Sequence, residues 1–361
     1  MRPPVLSLVA LAALSVPAAL PAAAPLLVPA LKLNIINNGV TTTASGRIFI
    51  PVQRQDPAKG IEVGEVVKGT PRPFPDAAWN DWAPGKDGSN AFVGVNSIRI
   101  GPDGDLWVVD KGANGNGGGD PSLQPKIVRI DVKTRQIKRI YRLGAVATGN
   151  SFVNDLRFKG STAYLTDAGQ PGLIVLDLDS GAARRVLDGH PTTAAHRSWL
   201  SSGKPLVTPE GKEIVVNADQ LELSPDAKWL YYQPASGPMS RIETRYLDDA
   251  ALSPAELASH VEPFAATEST GGTAMAVDGT IYASDINHQR LLKIAPDGKI
   301  STILHDPRLI QMDAMWIDEQ GYLWIPATQI NRTAGLNRGV DAVKPPIVTY
   351  KLKLGVKPVH R

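Results

Sequence analysis

The chain has 361 residues, of which 43% are hydrophobic, so it can bury a large core, and an all-β architecture can use this length as one domain. The net charge of +3 and the lack of basic runs argue against nucleic acid as a partner. The absence of cysteine excludes disulfides, thiolate chemistry and cysteine-ligated metals.

The first 24 residues predict a cleaved signal peptide. Arg2 is the only charged residue before Lys32, an apolar segment runs from about Val5 to Ala19, and small residues follow it. An uncleaved anchor helix is the alternative, although prolines at positions 17 and 21 disfavour a full membrane span. We therefore expect a secreted or periplasmic protein in which residues 25–361 form one monomeric domain, with no membrane contact after cleavage.

A hairpin pattern recurs along the chain. Its clearest copy, Asn96–Asp110, has alternating apolar residues, the turn Pro102-Asp103-Gly104 and then a buried strand. An aromatic residue occupies the same place in each copy, at Phe49, Trp107, Tyr164, Tyr231, Tyr282 and Trp324. The spacings between these aromatics, 58, 57, 67, 51 and 42 residues, are close to the size of a propeller blade.

Six such units predict an all-β fold, a six-bladed β-propeller whose four-stranded antiparallel blades surround a central channel. A β-sandwich or two separate β-domains are the alternatives. A sandwich would need Greek-key connections and would not keep an aromatic residue in register six times. Two insertions interrupt the blades. One is residues 194–216, and the other is Ser253–His260, which begins with the N-cap serine and the proline of a short helix.

One column of polar residues precedes the first strands of five predicted blades, at Asn96, Asn154, Asp219, Thr273 and Asp313. The first strand of each propeller blade lines the channel, so we expect these side chains to form a ring at its upper end. In the first blade the candidates are Asn38 and residues 41–43. Arg99 and Arg157 occupy matching positions in neighbouring blades and should line the channel lower down, whereas strand alternation points Asp155 away from it.

A ring of Asn and Asp oxygens suits a hard cation such as Ca²⁺ or another divalent ion, and no organic cofactor is expected. Two carboxylates in such a ring are costly unless a cation or a cationic ligand compensates them. A small molecule above the ring would contact Asn96, Asn154 and Thr273, with the two arginines below. The alternative is a purely structural ring that caps the channel strands around a water-filled pore.

Five stretches of the chain resemble successive signatures of the major royal jelly protein/yellow family. They are VNSIRIGPDGDLWVVDKG, PKIVRIDVKTRQIKRIY, FVNDLRFKGSTAYLTDAGQPGLIVLDL, LELSPDAKWLYYQPASG and MDAMWIDEQGYLWIPATQINR. The resemblance covers about residues 40–353 and implies a secreted six-bladed propeller. Insect members are linked to dopachrome conversion, to binding of biogenic amines and to nutrition, and they usually carry disulfides. Because this chain has no cysteine, it looks like a bacterial relative of the family.

The blade pattern also resembles the wider gluconolactonase-like propellers, which hold a divalent cation with a first-blade Glu and later Asn and Asp residues. This resemblance implies metal binding by Asn154, Asp219 and Asp313, with Asp219 standing where that family usually has Asn. The first-blade Glu has no counterpart, because Thr41–Thr43 occupy its region.

Two functions remain open from the sequence. One is a propeller that binds a small molecule above the ring. The other is a divalent-metal-dependent enzyme at the same place, which would hydrolyse a lactone with metal-activated water or isomerise an oxidised catechol-like substrate. In the enzyme, Asp219 or Asp313 would be the metal ligand or the general base.

Overall fold

The structure is a computed structural model that describes Met1 and residues 26–113 and 120–359. The predicted signal peptide, apart from Met1, lies outside the described residues. None of the helices within these ranges has the length and hydrophobicity needed to cross a lipid bilayer.

Six four-stranded antiparallel sheets confirm the predicted propeller. The first strand, β1 (Leu27–Leu33), belongs to the last blade. Blade one contains β2 (Thr41–Thr42), β3 (Ile48–Pro51), β4 (Val63–Val67) and β5 (Thr70–Pro73). Blade two contains β6 (Val95–Ile100), β7 (Leu106–Asp110), β8 (Lys126–Ile130) and β9 (Ile137–Arg142). Blade three contains β10 (Val153–Lys159), β11 (Thr162–Asp167), β12 (Gly172–Asp177) and β13 (Ala183–Val186).

The later blades carry the insertions. A hairpin of β14 (Leu200–Ser201) and β15 (Lys204–Pro205) precedes blade four. Blade four contains β16 (Ala218–Leu223), β17 (Trp229–Pro234), β18 (Met239–Glu243) and β19 (Glu262–Ala265). Blade five contains β20 (Thr273–Met275), β21 (Ile281–Asp285), β22 (Arg290–Ile294) and β23 (Ile300–His305). Blade six contains β24 (Trp316–Ile317), β25 (Tyr322–Ala327) and β26 (Ile347–Lys353), together with β1.

Two α-helices join β18 to β19, namely α1 (Thr244–Asp248) and α2 (Pro254–Ala258). The predicted short helix is confirmed in α2, where the Ser253 side chain accepts from Glu256 N and the Glu256 side chain accepts from Ser253 N. The sequence did not predict α1. Single 3₁₀ turns lie at Ala78–Asn80, Pro121–Leu123, Ile330–Arg332 and Ala334–Leu336.

The six repeated aromatic residues all lie in second strands, and all are buried. Trp107 shows what they do, because its ring packs against Phe158 of blade three with 4.8 Å between the ring centroids. Burying a side chain of this size stabilises the fold by about 2–3 kcal/mol, so Trp107 helps to hold blades two and three together. The hairpin before Trp107 turns at Gly104, whose φ of 77° lies in the left-handed region that favours glycine.

The ring of blades is closed by strands from the two ends of the described chain. Strand β1 pairs with β26 in antiparallel register, from Leu27 opposite Leu352 to Leu33 opposite Ile347. Blade six is therefore complete only when the N-terminal strand is in place.

We expect Leu31→Ala to lower the free energy of unfolding by about 2–5 kcal/mol, because Leu31 is buried within the closing strand and its loss leaves a cavity. Leu26→Ala is the matched control, since Leu26 is 77% exposed just before the same strand. Urea titrations of both variants test the difference. Equal midpoints for the two variants would show that closure by β1 contributes little to stability.

Candidate functional site

A cavity of about 460 Å³ opens at the upper end of the central channel. Its floor is formed by the polar side chains of Asn38, Asn96, Asn154, Asp219 and Asp313. One wall is apolar and comes from the connections above the blades, at Phe152, Trp199, Ile214, Val215, Val216, Ile330 and Leu336. The structure thus places four of the five predicted ring residues together beneath a cavity of ligand size.

β-Bulges turn the floor residues inward. The register of the first strand shifts at Val95/Ser97 in blade two and at Ala218/Gln220 in blade four, so Asn96 and Asp219 are the extra residues. A bulge re-aims the side chain of its extra residue, here towards the channel.

The floor positions can be counted back from the hairpin turns. In blade two the turn begins where Gly101 N donates to Asp105 O, and Asn96 lies five residues earlier. Equivalent backbone bonds begin at Ser224 in blade four and at Asp318 in blade six, five residues after Asp219 and Asp313. In blade one the bond begins at Thr43, and the same count leads to Asn38. The alternative first-blade candidates serve the scaffold, because Thr41 Oγ1 accepts from Ile100 N and Thr42 Oγ1 accepts from Trp316 Nε1.

The prediction for blade five is corrected by the same count. Its turn begins at Ala276, whose N donates to Thr280 O, so the floor position belongs to Gly271 and not to Thr273. Thr273 is buried one level lower, where its Oγ1 donates to Glu222 Oε1 at 2.7 Å. The sequence alignment matched the apolar pattern and overlooked that the first strand of this blade ends two residues sooner.

Hydrogen bonds between blades orient the amides of the floor. Asn38 Nδ2 donates to Asn96 O at 2.7 Å, Asn96 Nδ2 donates to Asn154 O at 3.1 Å, and Asn154 Nδ2 donates to Asp219 Oδ1. Gln220 Nε2 donates to the second carboxylate oxygen, Asp219 Oδ2. Because each amide nitrogen is used in this way, the amide oxygens remain as acceptors.

Several buried amide oxygens have no hydrogen-bond donor among the described residues, and two of them belong to residues of the channel, Asn38 Oδ1 and Gln220 Oε1. Both residues, with Asp219 and Asp313, line a second cavity of about 20 Å³ inside the channel, directly beneath the floor. A space of this size holds one water molecule or one ion. Its unpartnered atoms are acceptors, which a bound cation satisfies without needing an acceptor of its own.

A neutral network of four charged side chains lies below. Arg99 Nε donates to Asp155 Oδ1 at 3.1 Å, and Arg157 Nη1 donates to Asp155 Oδ2 at 2.9 Å. Arg157 Nη2 donates to Glu222 Oε1 at 2.8 Å. Although burial alone would raise the pKa of Asp155, Arg99 and Arg157 hold it below its usual range. The two arginines line the channel as expected, but they are bound to acids beneath the floor and do not face the upper cavity.

The expectation that Asp155 points away from the channel is wrong. The register shift in blade three extends from Val153 to Leu156, so Asn154 and Asp155 both depart from regular alternation. Asp155 is buried and lines the small channel cavity. Its charge is what keeps Arg99 and Arg157 in place.

Among the described residues, no cationic side chain forms an ion pair with either of the two floor carboxylates. Burial, followed by the charges of Asp313 and Asp155, raises the pKa of Asp219 well above its ordinary value. Burial also raises the pKa of Asp313 to about 7, despite the hydrogen bond from Ala314 N and the charge of Arg99. A cation between them would remove the penalty for their ionised forms.

A second group of possible metal ligands lies away from the channel, at Glu268, Asp285 and His288, whose ligand atoms are all within 4.8 Å of one another. Asp285 already accepts from Arg290 Nε at 2.8 Å and from His288 N at 3.0 Å. Glu268 is exposed. The arginine on its only buried carboxylate makes this group a poor cation site compared with the channel floor.

Comparison with protein families matches residues 93–360 to the model of the major royal jelly protein family. A comparison with curated protein sequences finds no match. The fold is similar to a gluconolactonase from Xanthomonas campestris, with a TM-score of 0.55, 15% identity and coverage of 91% of this chain and 89% of that one. It is also similar to a luciferin-regenerating enzyme, with a TM-score of 0.55, 12% identity and coverage of 93% and 97%.

A third similar structure is a catalytically inactive virginiamycin B lyase from Staphylococcus aureus with quinupristin. Its TM-score is 0.52 at 15% identity, with coverage of 91% of this chain and 99% of that one. At these identities the three structures establish the shared propeller fold.

We expect the metal-free protein to lose stability as the pH rises from about 4 to 7. Asp313 holds its proton in the folded state up to a pKa of about 7 but releases it near 3.8 when unfolded, so folding is favoured at the lower pH. The loss from this group is at most about 4 kcal/mol. Urea titrations with a chelator at pH 5 and pH 8 measure it.

Asp313→Asn is the matched variant, because its amide oxygen can still accept from Ala314 N while the ionisable group is gone. The variant should lose less stability than the parent over this range. An identical pH dependence in parent and variant would contradict the raised pKa.

Proposed function

Because the chain belongs to the major royal jelly protein family, we propose that it binds a small molecule at the top of its central channel, above a divalent cation. The observation that carries the proposal is the oxygen-lined floor, where two carboxylates without a cationic partner and two unpartnered amide oxygens surround a space for one ion. The 460 Å³ cavity above the floor gives the ligand its place.

The donor atoms on the floor fit Ca²⁺ or a similar hard cation, because they are carboxylate and amide oxygens. Asn154, Asp219 and Asp313 would hold the ion. Asn38 would replace the first-blade Glu of gluconolactonase-like propellers, since its Oδ1 is buried and unpartnered. The neutral amide of Asn38 carries one negative charge less than the Glu that it would replace. The carboxylate of Asp219 restores that charge, because it stands where those propellers usually have Asn. When bound, the cation supplies a Lewis acid for an oxygen atom of the ligand.

The walls indicate the chemical character of the ligand. Trp199 and Leu336 give one side of the cavity an apolar surface, whereas the floor offers polar oxygens. A ligand with an apolar or aromatic body and an oxygen-bearing end fits both surfaces. Biogenic amines and oxidised catechols, the ligands of insect relatives, have such bodies.

Lactone hydrolysis is the second candidate function. It is favoured by the position of Asp313, a carboxylate on the floor of the cavity that can accept a proton when it is ionised beside the cation. The carboxylate of Asp313 would accept a proton. Hydrogen bonds from Asn154 and Gln220 would orient the carboxylate of Asp219. The similarity to a gluconolactonase supports a propeller able to carry such a site, and the catalytic role is our proposal.

We also propose that the protein is exported and acts as a monomer. The predicted leader in residues 1–24 supports export, and closure of the propeller by its own first strand supports a complete single-chain unit.

We expect Ca²⁺ to bind the chelator-treated mature protein with one ion per chain, and to raise its melting temperature more at pH 8 than at pH 5. At the higher pH, ionised Asp219 and Asp313 attract the cation, whereas protons compete with it at the lower pH. Asp219→Asn and Asp313→Asn should each weaken binding by about tenfold or more, a loss of at least ~1.4 kcal/mol. Calorimetric titration measures both affinity and stoichiometry.

Glu268→Gln is the control for the calcium titration, because it alters the other group of possible ligands. It should leave calcium affinity unchanged. Loss of calcium binding in Glu268→Gln, with full binding in Asp313→Asn, would move the ion away from the channel and overturn the proposal.

For the second candidate, we expect D-glucono-1,5-lactone to be hydrolysed in the presence of Ca²⁺, with Asp313→Asn reducing the rate by about 10²-fold or more because the base is lost. A pH-stat follows acid release against the uncatalysed rate. Glu268→Gln should keep the parent rate. If the parent does not exceed the uncatalysed reaction, the lactonase function is excluded and the binding function stands.

A further inference from the structure

Lys111 lies next to a wall of the upper cavity and is not used by the proposed site. It directly follows β7, and its backbone N donates to Gly94 O at 2.9 Å. Its ammonium nitrogen lies 5.3 Å from the centroid of the Phe152 ring, and Phe152 lines the cavity. The side chain is half-buried at the top of blade two.

Both acids near Lys111 are engaged by other groups. Asp110 accepts from Val93 N and Gly94 N at 2.9 Å each, and is paired with Lys126 Nζ at 2.9 Å. Glu62 accepts from Arg54 Nε at 2.5 Å and from Val95 N at 2.8 Å. Among the described residues, the Lys111 ammonium has no hydrogen bond or ion pair, and its recorded contact is with Phe152.

The two acids nearest Lys111 are already paired with other cations. Glu62 pairs with Arg54 and Asp110 pairs with Lys126, so neither is left to pair with the Lys111 ammonium. Burial lowers the pKa of Lys111 and raises the pKa of Glu62 to about 7, so both groups are poorly hydrated. A half-buried ammonium without an anionic partner is costly, and a bound anion would remove that cost.

Gly94 leaves the space in which the ammonium lies. A Cβ atom at this position would stand 2.8 Å from Lys111 Nζ, which is closer than non-bonded atoms approach. Gly94 is also two residues before Asn96, which lies on the cavity floor. The ammonium is therefore held between the top of blade two and the ring of Phe152, a residue that lines the cavity.

We propose that Lys111 is an anion-binding residue of this cavity and pairs with the carboxylate of an organic acid ligand. The inference rests on the proposed function for the location of the ligand, and it narrows the ligand class to acids with an apolar or aromatic body. An ammonium–carboxylate hydrogen bond in a partly dry site is among the stronger polar contacts. The apolar wall at Trp199 and Leu336 then takes the body of the acid.

Phenylacetate and phenylacetamide are suitable probes, because they share an aromatic body and differ in charge. Calorimetric titration of the calcium-saturated mature protein should show phenylacetate binding at least about tenfold more tightly than the amide. Lys111→Met and Lys111→Gln should remove this preference, whereas Lys111→Arg should keep it. Lys133→Met is the matched control, because Lys133 is an exposed lysine in a turn of the same blade and should not affect either probe.

The parent protein alone can overturn the inference. It does so if it binds the two probes with equal affinity or does not bind phenylacetate. An unchanged preference in folded Lys111→Met would also overturn it. Calcium affinity separates this failure from that of the proposed function, because the Lys111 variants should bind calcium like the parent. If the parent itself binds no calcium at the floor, the proposed function fails, and the preference for phenylacetate is then measured in calcium-free buffer.

Discussion

The central channel depends on how its buried carboxylates are balanced. Four acids converge there, and the structure treats them in two ways. Asp155 and Glu222 are bound by Arg99 and Arg157 in a network without net charge, which links blades two, three and four and contacts blade six through Arg99 and Met315 O. Asp219 and Asp313 lie one level higher, and within the part of the chain that the structure describes neither of them forms an ion pair with a cationic side chain. The lower pair is a completed structural element, whereas the upper pair requires a proton or an external cation.

The two ends of the channel differ in the same way as the two pairs of acids. Beneath the arginines the channel narrows to a cavity of about 20 Å³, lined in part by Pro358 and Val359. At the other end, the connections between blades build a wide cavity with one apolar wall. The rigid network therefore supports the floor from below, while the long connections above it determine which molecules fit.

Much of the fold could be predicted from the sequence because its signals are local. The aromatic in each second strand and the turn before it recur within single hairpins, so six blades could be counted.

The floor of the cavity was harder to predict. Asn96, Asp219 and Asp313 each lie five residues before the backbone hydrogen bond that begins the hairpin turn. Thr273 lies only three residues before that bond, so the apolar pattern placed Thr273 where Gly271 belongs. Asp155 was misplaced because a bulge breaks the alternation on which the prediction relied. The apolar wall could not be found, since it meets the floor only through contacts between distant segments.

Closure by β1 has a consequence for assembly during folding. Until β1 pairs with β26, the chain has an open edge at Ile347–Lys353 and a loose strand at Leu27–Leu33 with matching register. Pairing across such a long separation is slow, because the entropy of closing the loop is lost before the contact forms. During that interval the same edge accepts the β1 of another copy equally well, since the hydrogen bonds and side-chain contacts are identical. Refolding at high protein concentration therefore favours strand-exchanged dimers, in which each copy completes the last blade of its neighbour.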